Sequence, residues 1–404
     1  MADTGFIAVG LGGLVVIDNH VVMATVLVCC DKFKGSATSA EVNAALAGGL
    51  SAAGHRVLTS PLADGGDGTL EVFDQLGYRR VPVTVRGSDG RPVETDYCLH
   101  PGERTAVIEV ARICGLDMVA AHGETPAVAD AVQAGSWGVG DALVDAMGRG
   151  VRQVILTLGG SATTDAGMGM AAALGVVFRD EAGRSVGGVG DMARIASADV
   201  SGLDPRVADL WVVLASDVRN PLCGREGAAA VFGTQKGLTP EVVPVVDAAV
   251  TSFAEVVGEA TGEQDAATQS GAGATGGLGF MGIALLGADL RTGVDLVLEK
   301  TGFTELLQDA DLVITGEGRL DTQTLSGKAP AGVAERARAA GVPVAAVCGQ
   351  SLLAEADGAD LFEKVYSLTD IEPDVASCIR NPLPLLERNG TDIGEDLGNA
   401  TLGL

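Results

Sequence analysis

Residues 24–50 read ATVLVCCDKFKGSATSAEVNAALAGGL. The first seven, ATVLVCC, are an apolar run with β-branched members, which predicts a short buried strand of a parallel sheet. The charged loop DKFKGS follows. Thr38 and Glu41 then stand in the spacing of a capping box. Val42, Ala45, Leu46, Gly49, Leu50 and Ala53 recur at helical intervals. The unit is strand, loop, helix, with the charged loop at the strand's carboxyl end.

The same order recurs along the chain. VILTL (154–158) precedes GGSATTDAG and the small-residue helix MGMAAALG. LWVVLA (210–215) leads into SDVRNPLCG. DLVIT (311–315) leads into the loop GEGRLDTQT and a helix over 326–341, and PVAAVC (343–348) leads into GQS. VLTSPL (57–62) runs into ADGGDGT (63–69). Strands alternating with helices predict parallel sheets with right-handed crossovers. Ligands of such sheets bind beyond the carboxyl ends of the strands. Residues 79–105 alternate polar and apolar and carry turn signals, which predicts antiparallel hairpins that open an inserted domain. The acidic tail after 380 lacks a strong period and is expected to be loosely ordered.

The chain has 404 residues, 47% of them hydrophobic and 20% charged, which suits two α/β domains with large cores. Net charge is −26, which argues against nucleic-acid or anionic-membrane partners. No apolar run is long enough to span a membrane. Seven cysteines lack metal or disulfide spacing, so free thiols and a cytoplasmic location are expected. Residues 1–22 lack the basic start of a signal peptide and read as a dispensable upstream extension before Met23.

There are six lysines, and Lys32, Lys34, Lys236 and Lys328 lie in or beside glycine-containing loops. Lys34 and Ser36, with Asp31, precede a helix N-terminus, which suits an anion; a solvated charged turn is the plain alternative. Asp64 and Asp67 sit among glycines in 63–69. GGSATTDAG supplies Asp165 and hydroxyls ahead of a helix, with an elaborate N-cap as the alternative. Asp217 and Asn220 are types that commonly hold Mg2+. Lys236, and then Glu317, Asp321 and Lys328, follow in two further loops. GAGATGGLG (271–279) has G-x-G-x-x-G spacing but follows no strand, so a flexible connection or a phosphate cradle fits better than a dinucleotide fingerprint. The four histidines lie outside every glycine loop, so any proton must move through a carboxylate or lysine. Acidic and lysine-bearing glycine loops along one sheet edge point to metal-assisted phosphoryl transfer, which is chiefly positioning and charge neutralisation.

DKFKGS, PLADGGDGT, LGGSATTDAGMGM, SDVRNPLCGREGAAAVFGTQKG, GAGATGGLG and ITGEGRLDTQTLSGKAP occur in the order seen in bacterial type I glycerate kinases, and the chain resembles that family from about residue 23 to 349. It departs at Cys29-Cys30 and Lys32, at Asp67 where the family usually has Glu, and at Thr164 and Thr234. The resemblance implies ATP-dependent phosphorylation of D-glycerate, with 2-phosphoglycerate favoured over the 3-isomer. It implies two α/β domains around a cleft. One is discontinuous, with a Rossmann- or flavodoxin-like parallel sheet (23–75 plus 290–404), and one is inserted (76–289).

On this reading Asp31, Asp64, Asp217, Lys34 and Lys236 are the candidate catalytic residues, and Asp31 and Asp217 the candidate Mg2+ ligands. Ser36, Gly65, Gly66, Arg219 and Asn220 would meet glycerate. Gly159, Gly160, Ser161, Thr163, Gly271, Gly273, Gly276, Gly277, Glu317 and Lys328 would meet ATP. The sequence does not rank the three aspartates. Expected partners are glycerate and ATP, and a homodimer stays open. The alternatives are a kinase for a related hydroxy acid or polyol, and a catalytically silent metabolite-binding protein.

Overall fold

The protein is described by a computed structural model covering residues 23–120, 125–187, 189–322, 324–326, 328–353 and 360–399. The expectation for 1–22 lies outside the described residues. The strands are β1 (Thr25–Val28), β2 (Arg56–Thr59), β3 (Arg79–Arg86), β4 (Pro92–His100), β5 (Thr105–Glu109), β6 (Gln153–Thr157), β7 (Val177–Asp180), β8 (Ile195–Asp199), β9 (Trp211–Ala215), β10 (Asp289–Arg291), β11 (Leu312–Leu320), β12 (Val344–Ser351) and β13 (Lys364–Ser367). One sheet has the order β13-β12-β11-β1-β2 and is parallel throughout. The other has the order β10-β9-β6-β5-β4-β3, parallel from β10 to β5 and antiparallel at β4 and β3. β10 pairs with β9, so residue 290 lies inside a strand of the second sheet. A short β7–β8 pair stands apart.

Alternation along each strand sorts its side chains between layers. Val26 and Val28 pack with Val42, Leu46 and Leu50 of the helix Ser39–Ala52 on the outer face of the parallel sheet. Leu27 points the other way, into a cluster that also holds Val107, Ile155 and Val213 of the second sheet. Between the two sheets lie the helices Thr69–Gln75, Gly293–Lys300 and Ala329–Ala339, which give Phe73, Leu296 and Val333 to that shared core. Val154 and Leu156 pack into the core on the far side of the second sheet. Both sheets therefore grip one helical layer. The capping box forms as the spacing predicts, Glu41 N–H donating to Thr38 Oγ1 at 3.3 Å and Thr38 N–H to Glu41 Oε2 at 2.9 Å.

Two expectations are corrected. The tail after 380 is ordered as the helix Leu383–Gly398, which buries Leu386, Ile393 and Leu397 against the helix Ser39–Ala52. Its apolar stripe is interrupted by Gly390 and Gly394, which hid the period. Those glycines serve close packing, since a Cβ on Gly390 would lie 2.4 Å from the Leu46 carbonyl oxygen. The segment 316–320, read as loop, continues β11, with Glu317 paired to Cys348. Its polar residues reach past the core into a cleft, so hydropathy ended the strand too early. Among the described residues no helix is long and apolar enough to cross a membrane. All seven cysteines are free thiols, six of them buried.

Candidate functional site

Four chain segments bring carboxylates together where β1, β2, β9 and β11 end. Asp31 follows β1, and its N–H still donates to the Gly316 carbonyl at 2.8 Å, continuing the ladder past the core. Its Oδ1 accepts from the Lys32 N–H at 2.7 Å. Burial pushes the Asp31 carboxyl up to about 7, with Asp64 and Glu317 adding to the rise and Lys32 opposing it. Asp64 opens the 63–69 loop and folds back on it, its Oδ1 accepting from Gly66 N–H at 2.9 Å. Asp217, just past β9, accepts at 3.2 Å from the N–H of Gly293, the first residue of the helix Gly293–Lys300. Although Asp217 reaches solvent, the packing around it raises its carboxyl to about 6; Asp64 adds to the rise, and Gly293 and Arg219 oppose it. Asp64 is thus the common neighbour of Asp31 and Asp217.

Only glycine permits this convergence. A Cβ on Gly293 would lie 2.0 Å from the Asp64 carbonyl oxygen, so a side chain there would drive the loop off the helix. On its other side the loop meets 159–161, where a Cβ on Gly159 would lie 3.1 Å from Gly66 Cα.

A cleft of about 500 Å3 opens beside these groups. Asp31, Lys34, Ser36, Asp64, Glu317 and Lys328 line its polar side, and Val375, Cys378 and Ile379 form an apolar wall. Glu317 accepts from Thr324 Oγ1 at 2.6 Å, and Lys328 Nζ stands 3.8 Å from its Oε2. Burial raises the Glu317 carboxyl, against the pull of Thr324 and Lys328. Among the described residues no three His, Cys, Asp or Glu side chains converge as a preformed metal cage. Mg2+ does not require one, because it is commonly held by one or two carboxylates together with substrate phosphates and water. Carboxylates that raise one another's pKa are the donor set that a divalent cation would relieve.

A family model described as the glycerate kinase family matches residues 26–397. The chain belongs to the glycerate kinase family. It is 43% identical over 333 residues to a glycerate kinase of Halalkalibacterium halodurans, covering 81% of this chain and 86% of that one. It is 36% identical over 330 residues to a glycerate 2-kinase of Escherichia coli, covering 80% and 84%. The crystal structure of a putative glycerate kinase 2 from Salmonella typhimurium LT2 superposes with a TM-score of 0.79 at 36% identity, over 94% of this chain and 99% of that chain. Membership makes the chain a kinase with a mixed α/β fold, and the matched span carries every loop described above.

Other candidate residues of this family member divide by position. Ser36 lies on the cleft but donates its hydroxyl to the Ile379 carbonyl at 2.7 Å, tying the DKFKGS loop to the apolar wall. Asn220 donates to the Glu226 carbonyl at 2.8 Å, within its own loop. Lys236 is buried, its Nζ donating to Thr163 O at 2.7 Å and Ser161 Oγ at 3.2 Å. Burial lowers its pKa to about 8, with Cys114 and Asp165 opposing. Lys236 thus braces the 159–167 loop from below and does not line the cleft. Asp165 accepts from Ser136 and from the N–H groups of Gly167 and Gly169, so its carboxylate is spent inside the protein at the start of the helix Met168–Ala173.

The 271–277 glycines meet protein. A Cβ on Gly276 (φ 64°) would lie 1.8 Å from the Thr163 carbonyl oxygen, and Gly271, Gly273 and Gly277 abut Leu290, Pro221 and Ala166 in the same way. This loop backs the 159–167 loop. The sequence assigned no role to two residues that hold the site together. Lys32 Nζ donates to the Asp67 carbonyl, and burial works against its charge while Asp31, Asp64, Asp67 and Glu109 raise its pKa. Glu109 ends β5 almost fully buried under the 63–69 loop. The scarcity of lysine flagged Lys32; nothing in TAVIE flagged Glu109.

Proposed function

We propose that the chain transfers the γ-phosphoryl group of ATP to the C2 hydroxyl of D-glycerate, giving 2-phosphoglycerate and ADP. The observation that carries this reading is the meeting of Asp31, Asp64 and Asp217, from the ends of three strands in two sheets, beside a lysine-rimmed cleft in a glycerate kinase family member. Asp31 is the general base. Its carboxyl is raised toward neutrality, where a base is most effective, and it accepts the hydroxyl proton as the oxygen–phosphorus bond forms and the bond to ADP breaks. Mg2+ would be held by Asp217, with Asp64 alongside, and would neutralise charge on the phosphate oxygens. Lys34, on the cleft, and Arg219, beside Asp217, are exposed cations that would meet the glycerate carboxylate. The backbone N–H groups of 65 and 159–160, with Lys328, would meet the phosphates. Lys236 acts through the 159–167 loop it supports. The buried free thiols fit a reducing cytoplasm.

The test is ADP release in a coupled assay with D-glycerate, L-glycerate, lactate, glycolate and glycerol as acceptors. D-glycerate is expected to give the highest kcat/KM. Equal or better turnover of another acceptor would overturn the substrate assignment, and binding without turnover would support a silent binding protein.

A further inference from the structure

Glu109 is a buried carboxylate without a place in the chemistry above. It is 1% exposed and stands at the last position of β5, in the six-stranded sheet. The loop above it grows from β2, in the other sheet. Glu109 accepts from Leu70 N–H at 3.2 Å and from Gly68 N–H at 3.4 Å. Around it stand Asp67 of the loop, Glu71 of the helix Thr69–Gln75, Arg112 of the helix Ala111–Cys114, and Lys32, which holds the Asp67 carbonyl from the side of β1. The loop that begins with Asp64 is therefore fastened from both sheets, by Lys32 on one and Glu109 on the other. Burying a carboxylate is costly, and the two N–H groups use both of its oxygens, Oε1 for Gly68 and Oε2 for Leu70, which the single acceptor oxygen of an amide would not serve together.

We propose that Glu109 is a positioning residue for phosphoryl transfer: by fixing the far end of the 63–69 loop to the six-stranded sheet, it holds Asp64 and Lys32 in register with Asp31 across the junction of the two sheets. The inference rests on the phosphoryl-transfer reading of Asp64. Burial pushes the Glu109 carboxyl up to about 7. Glutamine would keep only one of the two N–H bonds, so it weakens the hold on the loop without emptying the site.

The test compares the parent with Glu109→Gln and Glu109→Asp in steady-state kinetics, with thermal midpoints and the stoichiometry of ATP binding by calorimetry. A displacement of the reacting groups by a fraction of an ångström is expected to lower kcat roughly 10- to 100-fold, with both KM values held within about threefold. Full ATP stoichiometry in the variants separates this from a shrunken population of folded enzyme, which a merely structural residue would produce. A folded Glu109→Gln with kcat within about threefold of the parent would overturn the proposal. If neither variant folds, Glu109 is a determinant of the fold and the proposal fails. Asp64→Asn is assayed in parallel: if it remains fully active, the reading of the loop fails, whatever Glu109 does.

Discussion

Asp31→Asn is expected to lower kcat by about 10²–10⁴-fold, the usual contribution of a positioned base, while making the metal-free protein more stable at pH 8. The two effects have one cause. Burial and the neighbouring Asp64 and Glu317 raise the carboxyl from the ordinary 3.8 to about 7. Between those values the folded state keeps a proton that the unfolded state releases. Stability therefore falls as pH rises through that window, and the whole penalty is present above it. Asn cannot ionise, and its side-chain oxygen can still accept from the Lys32 N–H. Thermal unfolding in chelator should show the variant more stable at pH 8 by on the order of 1 kcal/mol or more. The difference should vanish toward pH 4. A variant that is less stable at pH 8, or that turns over normally, would remove Asp31 from the role of buried base.

Asp217→Asn is expected to cost about 10²–10³-fold in kcat, as loss of one preorganised electrostatic group does, with the fold unchanged. Asp217 reaches solvent, and an amide oxygen can keep the bond from Gly293 N–H, so circular dichroism and the thermal midpoint should match the parent. If Asp217 holds the cation, raising Mg2+ should recover part of the loss, whereas Asp31→Asn should not respond. Near-normal activity at low Mg2+ would refute the assignment. The parent should also lose kcat/KM on the acid side as Asp217 protonates near 6 and Asp31 near 7.

Much of this was readable in residues 24–50, because strand, charged loop and capped helix are local. The repeats of that unit placed Asp31, Asp64, Asp217 and Glu317 at the carboxyl ends of parallel strands, but the expected single edge is two, because Asp217 follows β9 of the six-stranded sheet. What the sequence concealed was non-local. Lys34 and Lys32 are two residues apart, yet only Lys32 reaches Asp67, and that depends on where the loop after β2 lies. Lys236 looked like a ligand lysine because it stands in a glycine loop; its burial under Ser161 and Thr163 follows from a contact more than 70 residues away. The 271–277 glycines looked like a phosphate cradle because sequence cannot say whether a close approach is to a ligand or to another loop. Glu109 was invisible because a carboxylate closing an apolar strand reads as the strand's solvent end. The helix Leu383–Gly398 was missed because Gly390 and Gly394 interrupt its packing face.

The most direct test of the central claim is the phosphorus NMR spectrum, with proton coupling retained, of the product formed from ATP and D-glycerate. A phosphate on C2 is split by the single methine proton into a doublet, and that doublet is the predicted result, growing in about 10²–10⁴-fold more slowly with Asp31→Asn. A triplet from the C3 methylene protons, or no new phosphate ester from the folded parent protein, would contradict the account.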